Sequence, residues 1–469
     1  MDAFERICDW RSALLEVDTG GALNAKAIRQ QVDSRSNYFL ALGVTHQTRV
    51  VISKSSSIDF FIDLAAVWRQ RAIAIIVDSN QTPTELLSVL NDIGPHFTIN
   101  DTGVQRCAVE PIIALSLPDD ACLILFTSGS SAKPKAVVHT ARSLASRIDS
   151  IHQAIDPNLR EVSFNVLPVH FGHGLIGVCL SALCLDGVLA LAPRISIHNA
   201  HQVGQWLTSS RASFMSGTPA IWKLIISLNE RPNTSLKRAQ CASARTGPSL
   251  FRKISSWTDA PIWNVYGLTE CASWVADYPF VHDGDEQMIG DGLNWNTKFR
   301  LHDSSDAQFG RSLLLHTDGL FSHYLGRTSE QSGISNGWLN TTDAATQTQD
   351  GLIRILGRST RLINRGGTKV APEEVETVLL EHPDITDVVV FGKSRPDDGR
   401  DDDVPLVAAL VVGHEKLTPA ELRSFLSQKL SEYKIPTLWR FVESIPKTST
   451  GKVDFSGLER YWNRSSSGI

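Results

Sequence analysis

Short apolar runs alternate with helical patterns along the first part of the chain. Residues 49–100 pass through VVISK, FFIDLAAVW, AIAIIVD, LLSVLNDI and HFTIN. Apolar runs of strand length that are separated by helical segments are typical of a parallel α/β sheet. The same rhythm recurs at CLILFTS, VSFNVLPV, LALAPR and APIWNVYG. The pattern therefore predicts one large α/β region that extends to about residue 355.

The pattern changes near Asp350. A strand-like GLIRILGR is followed by RLINRGGTKVAPEEVETVLLEH, where Pro372 and the two Glu residues behind it form a helix-start signal. Next come two strand-like runs, DVVVFGK and PLVAALVV, and then a capped helical pattern, LTPAELRSFLSQKLSEYK. We predict a large N-terminal α/β domain with parallel sheets over residues 1–357, a hinge at 358–361 and a small, mobile C-terminal α+β domain over 362–469.

Composition narrows the functional class. With 42% hydrophobic residues, 20% charged residues and a net charge of -5, the chain is typical of a soluble globular protein. No block of Lys and Arg is large enough to follow a nucleic-acid backbone, so we expect no nucleic-acid partner. The apolar stretch over residues 175–193 is interrupted by Asp and Gly, so we expect no membrane span. The N-terminus lacks a secretory pattern, which favours a cytoplasmic location.

Cysteine usage does not indicate a metal site or a disulfide framework. The seven cysteines form no CxxC pair and have no nearby His at zinc spacing. Free Cys is among the most buried residue types, so we expect most of them to be small core side chains.

A Ser- and Gly-rich segment follows the apolar strand CLILF. Its residues are Thr127-Ser128-Gly129-Ser130-Ser131-Ala132-Lys133-Pro134-Lys135. Small hydroxyl residues and Gly after a buried strand let N–H groups and hydroxyls surround a polyphosphate, and Lys adds positive charge. The segment does not match a Walker loop. Taken alone, such a turn is more often an ordinary flexible loop.

Two further polar turns follow strand-like runs. They are Asn264-Val265-Tyr266-Gly267-Leu268-Thr269-Glu270 and Gly337-Trp338-Leu339-Asn340-Thr341-Thr342-Asp343. In the first turn, Tyr can stack on a purine, Thr can bind a phosphate oxygen and Glu can hold a divalent metal. In the second turn, Asp can accept hydrogen bonds from ribose hydroxyls. Taken alone, each turn could equally have a purely structural role.

The C-terminal region contributes two segments. One runs from Gly357-Arg358 through Gly367 to Pro372-Glu373-Glu374, and the other is Pro446-Lys447-Thr448-Ser449-Thr450-Gly451-Lys452. A Lys after Gly in a mobile loop can reach a phosphate as a point charge. Without context, a solvent-exposed Lys is the simpler explanation.

All five segments occur in one chain in one order. Together they resemble the superfamily of acyl-CoA synthetases, nonribosomal-peptide adenylation domains and firefly luciferases, over about residues 50–460. The resemblance implies activation of a carboxylic acid with ATP and Mg²⁺ to acyl-AMP. Transfer to the thiol of CoA or of a phosphopantetheinyl carrier protein would follow. Transfer to an amine, amino-acid adenylation and an inactive nucleotide-binding scaffold remain alternatives.

The resemblance also implies roles for individual residues in the nucleotide site. The phosphate loop would include Thr127, Ser128, Gly129, Ser130, Ser131 and Lys135. Adenine and ribose would be contacted by Ala244, Tyr266, Gly267, Asp343 and Arg358. Thr269 would contact the α-phosphate and Glu270 would hold Mg²⁺. Lys452 would bridge the substrate carboxylate and the α-phosphate, so that Lys452, Thr269 and Glu270 would be the catalytic residues.

The acyl pocket and the acceptor channel are implied in the same way. Residues 167–175 resemble the family's pocket motif, with Phe171 at the usual His position and a His on either side. The pocket would be formed by His170, Phe171, His173, Gly217, Ala244, Val265 and Trp274. This apolar, partly aromatic set favours an aryl, fatty or other hydrophobic acid. The acceptor channel would pass Gly366, Gly367 and Lys369, and Arg245 is a candidate contact for a second polar group.

Three positions depart from the family pattern. Ala132 and Thr342 stand where Gly is usual, and Thr360 stands where the hinge usually has Asp or Lys. An L side chain at a Gly position restricts the backbone conformations that are open to it. We therefore expect a less mobile phosphate loop.

Overall fold

The fold was analysed in a computed structural model. It describes the chain except for residues 82–89, 108–115, 128–134, 234, 245, 303–310, 359–360, 362, 366–367, 394–404, 448–452, 456–457, 459–460 and 463–469. Five further residues are described by their backbone alone: Arg358, Asn364, Arg365, Thr368 and Lys369.

Most helices in the described chain are preceded by a residue whose side chain caps the helix N-terminus. Their bounds are α1 (Ala3–Ile7), α2 (Ala25–Leu42), α3 (Ile58–Arg69), α4 (Ala141–Ala154), α5 (Ser181–Leu183), α6 (Val203–Ser210), α7 (Pro219–Leu228), α8 (Pro248–Thr258), α9 (Pro372–Leu380) and α10 (Pro419–Ser427). Side chains that accept from a first-turn N–H group are Asp2, Asn24, Ser57, Thr140, Thr218 and Thr418. A π-helix, His173–Leu180, runs directly into α5.

The first fourteen strands build two large sheets. Their bounds are β1 (Ala13–Glu16), β2 (Ala22–Leu23), β3 (Arg49–Ser53), β4 (Ile73–Ile76), β5 (Phe97–Asn100), β6 (Gly103–Arg106), β7 (Ala121–Thr127), β8 (Lys135–Thr140), β9 (Val162–Asn165), β10 (Val188–Leu191), β11 (Phe214–Gly217), β12 (Arg238–Ala242), β13 (Ile262–Leu268) and β14 (Ser273–Pro279).

The later strands complete the fold. Their bounds are β15 (Met288–Gly290), β16 (Thr297–His302), β17 (Arg311–Thr317), β18 (His323–Tyr324), β19 (Ile334–Ser335), β20 (Trp338–Gln347), β21 (Ile353–Arg358), β22 (Ile363–Arg365), β23 (Thr368–Val370), β24 (Ile385–Lys393), β25 (Leu406–Gly413) and β26 (Leu438–Phe441).

Two sheets confirm the predicted α/β class. One has the order β14-β13-β12-β11-β9-β10-β1-β2 and the other β18-β8-β7-β4-β3-β5-β6. Neighbouring central strands are parallel, whereas β2, β6, β8, β14 and β18 pair antiparallel at the ends. Helical crossovers join the parallel strands, and this explains the alternating sequence pattern.

A third sheet was not predicted from the pattern. Its order is β15-β21-β20-β17-β16, with β19 on β20, and its strands pair antiparallel. The described connections between β15 and β21 contain no long helix, and antiparallel pairing is compatible with such connections.

The C-terminal part has its own core. Buried residues around β24 and β25 pack with α9 and α10, including Ile363, Val375, Val390 and Leu422. Arg361 donates to Glu373 and Glu376 of α9 at 2.8 and 2.7 Å. This part is the small α+β unit expected from the sequence. Its separation by a hinge at 358–361 remains a prediction.

The longest apolar stretch is buried in the core. The π-helix and α5 carry it, and Leu175, Val178 and Leu180 have no exposed surface. Within the described ranges, no helix combines the length and the hydropathy needed to cross a bilayer.

Candidate functional site

One large cavity lies where the two big sheets, the third sheet and the C-terminal unit meet. Its volume is about 1990 Å³. The predicted site residues that line it are Thr127, Lys135, Phe171, His173, Ala244, Val265, Tyr266, Gly267, Thr269, Glu270, Trp274 and Asp343. Segments that are far apart in the chain therefore share one cavity.

The turn after β13 carries three of these residues. β13 and β14 pair antiparallel, and their register shifts between Tyr266 and Gly267. A Cβ on Gly267 would overlap the backbone carbonyl of Ser273, so close strand pairing requires Gly here. Thr269 and Glu270 follow in a 3-10 turn. The bulge thus aims a short polar segment into the cavity.

Tyr266 and Asp343 are joined directly. The Tyr266 hydroxyl donates to Asp343 Oδ2 at 2.5 Å, and Asp343 is 5% exposed. Burial, together with the neighbouring Asp343 charge, raises the pKa of Tyr266 well above its ordinary value. The hydroxyl therefore stays protonated and acts as a donor. This hydrogen bond orients the Asp343 carboxylate at the cavity.

Thr342 introduces backbone strain beside Asp343. Its φ is +62°, in the left-handed region where β-branched residues are rare. The Asn340 side chain accepts from the Thr342 N–H at 3.0 Å and supports the turn. The Gly position noted in the sequence thus keeps its left-handed conformation with Thr in place.

Arg358 and the phosphate loop are only partly described. The Arg358 backbone pairs with Asp343 across β20 and β21. Thr127 and Lys135 pair across β7 and β8, and both line the cavity. Five predicted loop residues lie outside the described residues: Ser128, Gly129, Ser130, Ser131 and Ala132.

Tyr324 joins the two sides of this region and was missed by the sequence analysis. Its hydroxyl donates to Glu270 Oε1 at 2.7 Å, and Lys135 Nζ lies 4.9 Å from its ring centre. Tyr324 also lines the cavity. The surrounding sequence, SHYLG, carries no spacing that signals such a role.

His173, a residue of the predicted acyl pocket, has polar contacts on both ring nitrogens. Its Nδ1 and Nε2 are each 2.8 Å from a hydroxyl, Ser243 Oγ and Ser216 Oγ respectively. Its ring packs edge-on against Trp274 at 5.5 Å. Within the described part of the chain, Trp274 Nε1 and Ser273 Oγ are buried without a hydrogen-bond partner. The cavity wall around His173 and Trp274 therefore contains polar groups as well as apolar surface.

Two residues predicted for this pocket lie elsewhere. His170 and Gly217 are absent from the described lining of the cavity. His170 Nε2 lies 3.8 Å from Asp78 Oδ2, and its ring packs on Phe171. Burial lowers the pKa of His170. Gly217 is covered by Trp222, whose Nε1 would lie 2.9 Å from an added Cβ.

Two residues that flank the Lys452 segment lie at the cavity. Lys447 and Val453 form a β-bridge, and both line the cavity. Asp387 Oδ2 accepts from Lys447 at 2.6 Å, and Asp387 Oδ1 is 4.0 Å from Lys223 Nζ. Lys223 also donates to the Thr386 carbonyl at 2.7 Å. The ends of the segment are thus anchored where the two units meet.

Several predicted residues cannot be placed. Lys452, Gly366, Gly367, Arg245 and Thr360 lie outside the described residues, and only the backbone of Lys369 is described, in β23.

The carboxylates fit a metal that arrives with a nucleotide. In the described ranges, no three His, Cys, Asp or Glu side chains converge to hold a metal ion. Mg²⁺ is commonly bound through one or two carboxylates, several waters and substrate phosphates. Glu270 in the cavity is a suitable donor of this kind.

The chain matches known proteins over most of its length. The family model described as AMP-binding enzyme matches residues 9–114 and 110–325, and the model described as AMP-binding enzyme C-terminal domain matches residues 374–452.

Individual relatives and solved structures agree with these matches. A probable CoA ligase, CCL9, of Humulus lupulus is 27% identical, over 91% of this chain and 89% of its own. A malonate–CoA ligase of Arabidopsis thaliana is 23% identical, over 88% and 78%. ATP-bound MatB from Rhodopseudomonas palustris has a TM-score of 0.83 and 20% identity, over 98% and 99%. The last similarity concerns the fold.

Proposed function

This chain belongs to the AMP-binding enzyme family, and from that membership we propose that it is an AMP-forming acid–thiol ligase. It activates a carboxylic acid with ATP, releases pyrophosphate and transfers the acyl group from acyl-AMP to the thiol of CoA. The observation that carries this proposal is the convergence of the Thr127–Lys135 hairpin ends, the Tyr266–Glu270 turn and Asp343 on one cavity.

Charge explains the first half-reaction. A carboxylate that attacks the α-phosphate brings two anions together, and negative charge grows on the phosphate oxygens in the transition state. Lys452 supplies a positive charge to both reactants, while the Thr269 hydroxyl donates to an α-phosphate oxygen. Glu270 would hold Mg²⁺, and the bound ion would neutralise further phosphate charge. Alignment of the two reactants in one cavity removes much of the entropic barrier.

Nucleotide binding uses the residues around Asp343. Its carboxylate accepts from ribose hydroxyls, and the hydroxyl of Tyr266 keeps it in orientation. The Tyr266 ring, Gly267 and Ala244 border adenine, and Arg358 contacts the ribose or a phosphate. The Ser- and Gly-rich segment between Thr127 and Lys135 supplies hydroxyl and N–H groups to the phosphates.

The second half-reaction uses a different face of the small unit. We propose that residues 358–361 act as a hinge about which the small unit rotates, withdrawing Lys452 and opening a channel past Gly366, Gly367 and Lys369 for the thiol. A phosphopantetheinyl carrier protein presents the same thiol arm and is the alternative acceptor. The proposed location is the cytoplasm, where both ATP and CoA are available.

The acid that fits the pocket best is aryl, fatty or otherwise hydrophobic. Phe171, Val265 and Trp274 supply the apolar lining. A dicarboxylic acid is a second candidate, because Arg194 and Lys223 line the same cavity and a relative is named malonate–CoA ligase. A cationic side chain is a suitable partner for a second carboxylate.

ATP–pyrophosphate exchange tests the first half-reaction. Purified protein with Mg²⁺ is assayed across fatty, aryl, dicarboxylic and amino acids. Strong exchange with hydrophobic acids supports the leading proposal, whereas preference for dicarboxylic acids selects the second candidate. Exchange with no acid, despite measurable ATP binding, contradicts adenylation of a carboxylate and favours a scaffold.

Acceptor assays test the second half-reaction. The acid that gives exchange is incubated with ATP and, separately, CoA, a phosphopantetheinylated carrier protein or a primary amine. Acyl-CoA formation is expected. Product with the amine alone contradicts the thiol ligase.

A further inference from the structure

Tyr324 lies between two groups that the proposed function assigns to ATP and Mg²⁺. Its hydroxyl donates to Glu270 Oε1 at 2.7 Å, and Lys135 Nζ lies 4.9 Å from its ring centre. We propose that Tyr324 is a positioning residue that holds the Glu270 carboxylate toward the divalent metal and the Lys135 ammonium toward the phosphates. The inference rests on the proposed function.

The backbone around Tyr324 is tied to both partners. β18 pairs antiparallel with β8, the strand that begins at Lys135, with Tyr324 opposite Val137. Phe321 donates its N–H to the backbone carbonyl of Glu270 at 2.7 Å. A displacement of either partner therefore has to move this segment too. The Tyr324 ring is fixed relative to the hairpin and the turn.

Further contacts hold the ring itself. The Tyr324 N–H donates to Ser332 Oγ at 2.9 Å. The rings of Phe321 and Tyr324 have centres 4.9 Å apart. A packed aromatic ring with a fixed backbone presents its hydroxyl in one direction, which is the geometry that a supporting residue requires.

The hydroxyl can act only as a donor to Glu270. An ionised carboxylate only accepts hydrogen bonds, so the 2.7 Å contact is a bond from the phenol to Glu270 Oε1. Its hydrogen bond takes one acceptor position of a carboxylate that has about four. Among the described residues no second donor to this carboxylate is recorded, so the other positions suit a metal ion. Partners of this kind orient metal-binding carboxylates and tune their affinity.

The face of the Tyr324 ring contacts the second partner, Lys135. An ammonium over an aromatic face is attracted by the ring quadrupole. Lys135 therefore has a resting position against Tyr324, at the end of the hairpin that carries the phosphate loop. One side chain thus sets the relative placement of the metal-binding acid and a phosphate-binding base.

Substitution of Tyr324 by Phe removes the hydroxyl and keeps the ring. We expect the Mg²⁺ concentration for half-maximal ATP–pyrophosphate exchange to rise about tenfold in Y324F, the size typical for loss of a partner of a metal ligand. The KM for ATP at saturating Mg²⁺ changes much less. Tyr324→Leu, which also removes the ring, additionally raises the KM for ATP.

A binding measurement provides a readout that is independent of turnover. Mn²⁺ binding in the presence of a non-hydrolysable ATP analogue is followed by electron paramagnetic resonance. Y324F should bind Mn²⁺ about tenfold more weakly. The matched control is Tyr38→Phe, which removes a hydroxyl from a half-exposed tyrosine on α2. It should behave as the wild type does.

Two comparisons separate the possible failures. If Y324F and the wild type share the same Mn²⁺ affinity and the same Mg²⁺ dependence, the inference about Tyr324 is wrong. If the wild type shows no ATP–pyrophosphate exchange with any acid, the proposed adenylation is wrong. The Mn²⁺ affinities of the wild type and Y324F still test the role of Tyr324 in that case.

A double-mutant cycle separates loss of the Tyr324–Glu270 contact from a general effect of Y324F on folding. Y324F in a Glu270→Gln background should lower Mn²⁺ affinity by less than it does alone, because the shared contact is already changed. Equal losses in both backgrounds would assign the effect to folding and overturn the proposal.

Discussion

Thr342 holds a backbone conformation that few side chains tolerate. A β-branched residue at φ +62° is strained, and such strain costs on the order of 1–3 kcal/mol. Gly removes the strain but loses more conformational entropy on folding. We therefore expect Thr342→Gly to raise the free energy of unfolding by about 1 kcal/mol, measured by urea denaturation.

Thr342→Ala is the control for this prediction. It removes the same hydroxyl and methyl groups but keeps a Cβ in the left-handed region, so it should recover less stability than Gly does. Equal stability of the two variants, or a less stable Gly variant, would show that backbone strain is not the controlling effect.

Some residues of the candidate site could be predicted from the sequence and others could not. Tyr266, Glu270 and Asp343 were predicted because each belongs to a motif with fixed spacing, and the structure brings them to one cavity. Tyr324 was missed because its partners come from strand pairing between distant segments. His170 was placed in the pocket by its neighbours in sequence, but adjacent residues need not face the same way.

At the scale of elements, the pairing of β13 with β14 determines how the Thr269–Glu270 turn is presented. The register shift at Gly267 leaves no room for a side chain. We expect Gly267→Ala to lower the free energy of unfolding by about 2 kcal/mol, because overpacking forces the backbone apart. Thermal or urea unfolding measures the loss, and ATP–pyrophosphate exchange should fall with it.

A second glycine provides the comparison for Gly267. Gly43 ends α2 with φ +96°, and nothing lies within 4 Å of an added Cβ. Gly43→Ala therefore strains the backbone without a steric clash and should leave exchange per folded molecule intact. If both variants lose exchange equally, close pairing at Gly267 has no special role in the turn.

The elements differ in how well their pattern predicted them. The parallel strands were predicted because buried strands between helices read as continuous apolar runs. The antiparallel sheet from β15 to β21 was not predicted. Its strands alternate buried and partly exposed positions, as in β17, where Leu313, Leu315 and Thr317 are buried. Such short alternating runs give a weaker signal than the apolar runs do.

At the scale of the whole molecule, Asp387 connects the two units. It accepts from Lys447 beside the Lys452 segment and faces Lys223 of α7. We expect Asp387→Asn to weaken the docking of the small unit and to speed tryptic cleavage between the units about threefold, the size typical of a partly exposed ion pair. High salt should reduce the difference between this variant and the wild type.

Glu432→Gln is the matched control. Glu432 pairs with Arg423 inside the small unit and has no part in the contact with Lys223. Its cleavage rate should equal that of the wild type. Faster cleavage in both variants would point to loosening of the small unit itself rather than to its docking.

The shared cavity has a consequence for fidelity. An acyl-adenylate is an activated anhydride that water hydrolyses, and each loss consumes one ATP without product. Both units contribute walls to the cavity, and walls that exclude bulk water protect the anhydride from hydrolysis. Docking of the small unit, which supplies part of these walls, therefore limits futile turnover.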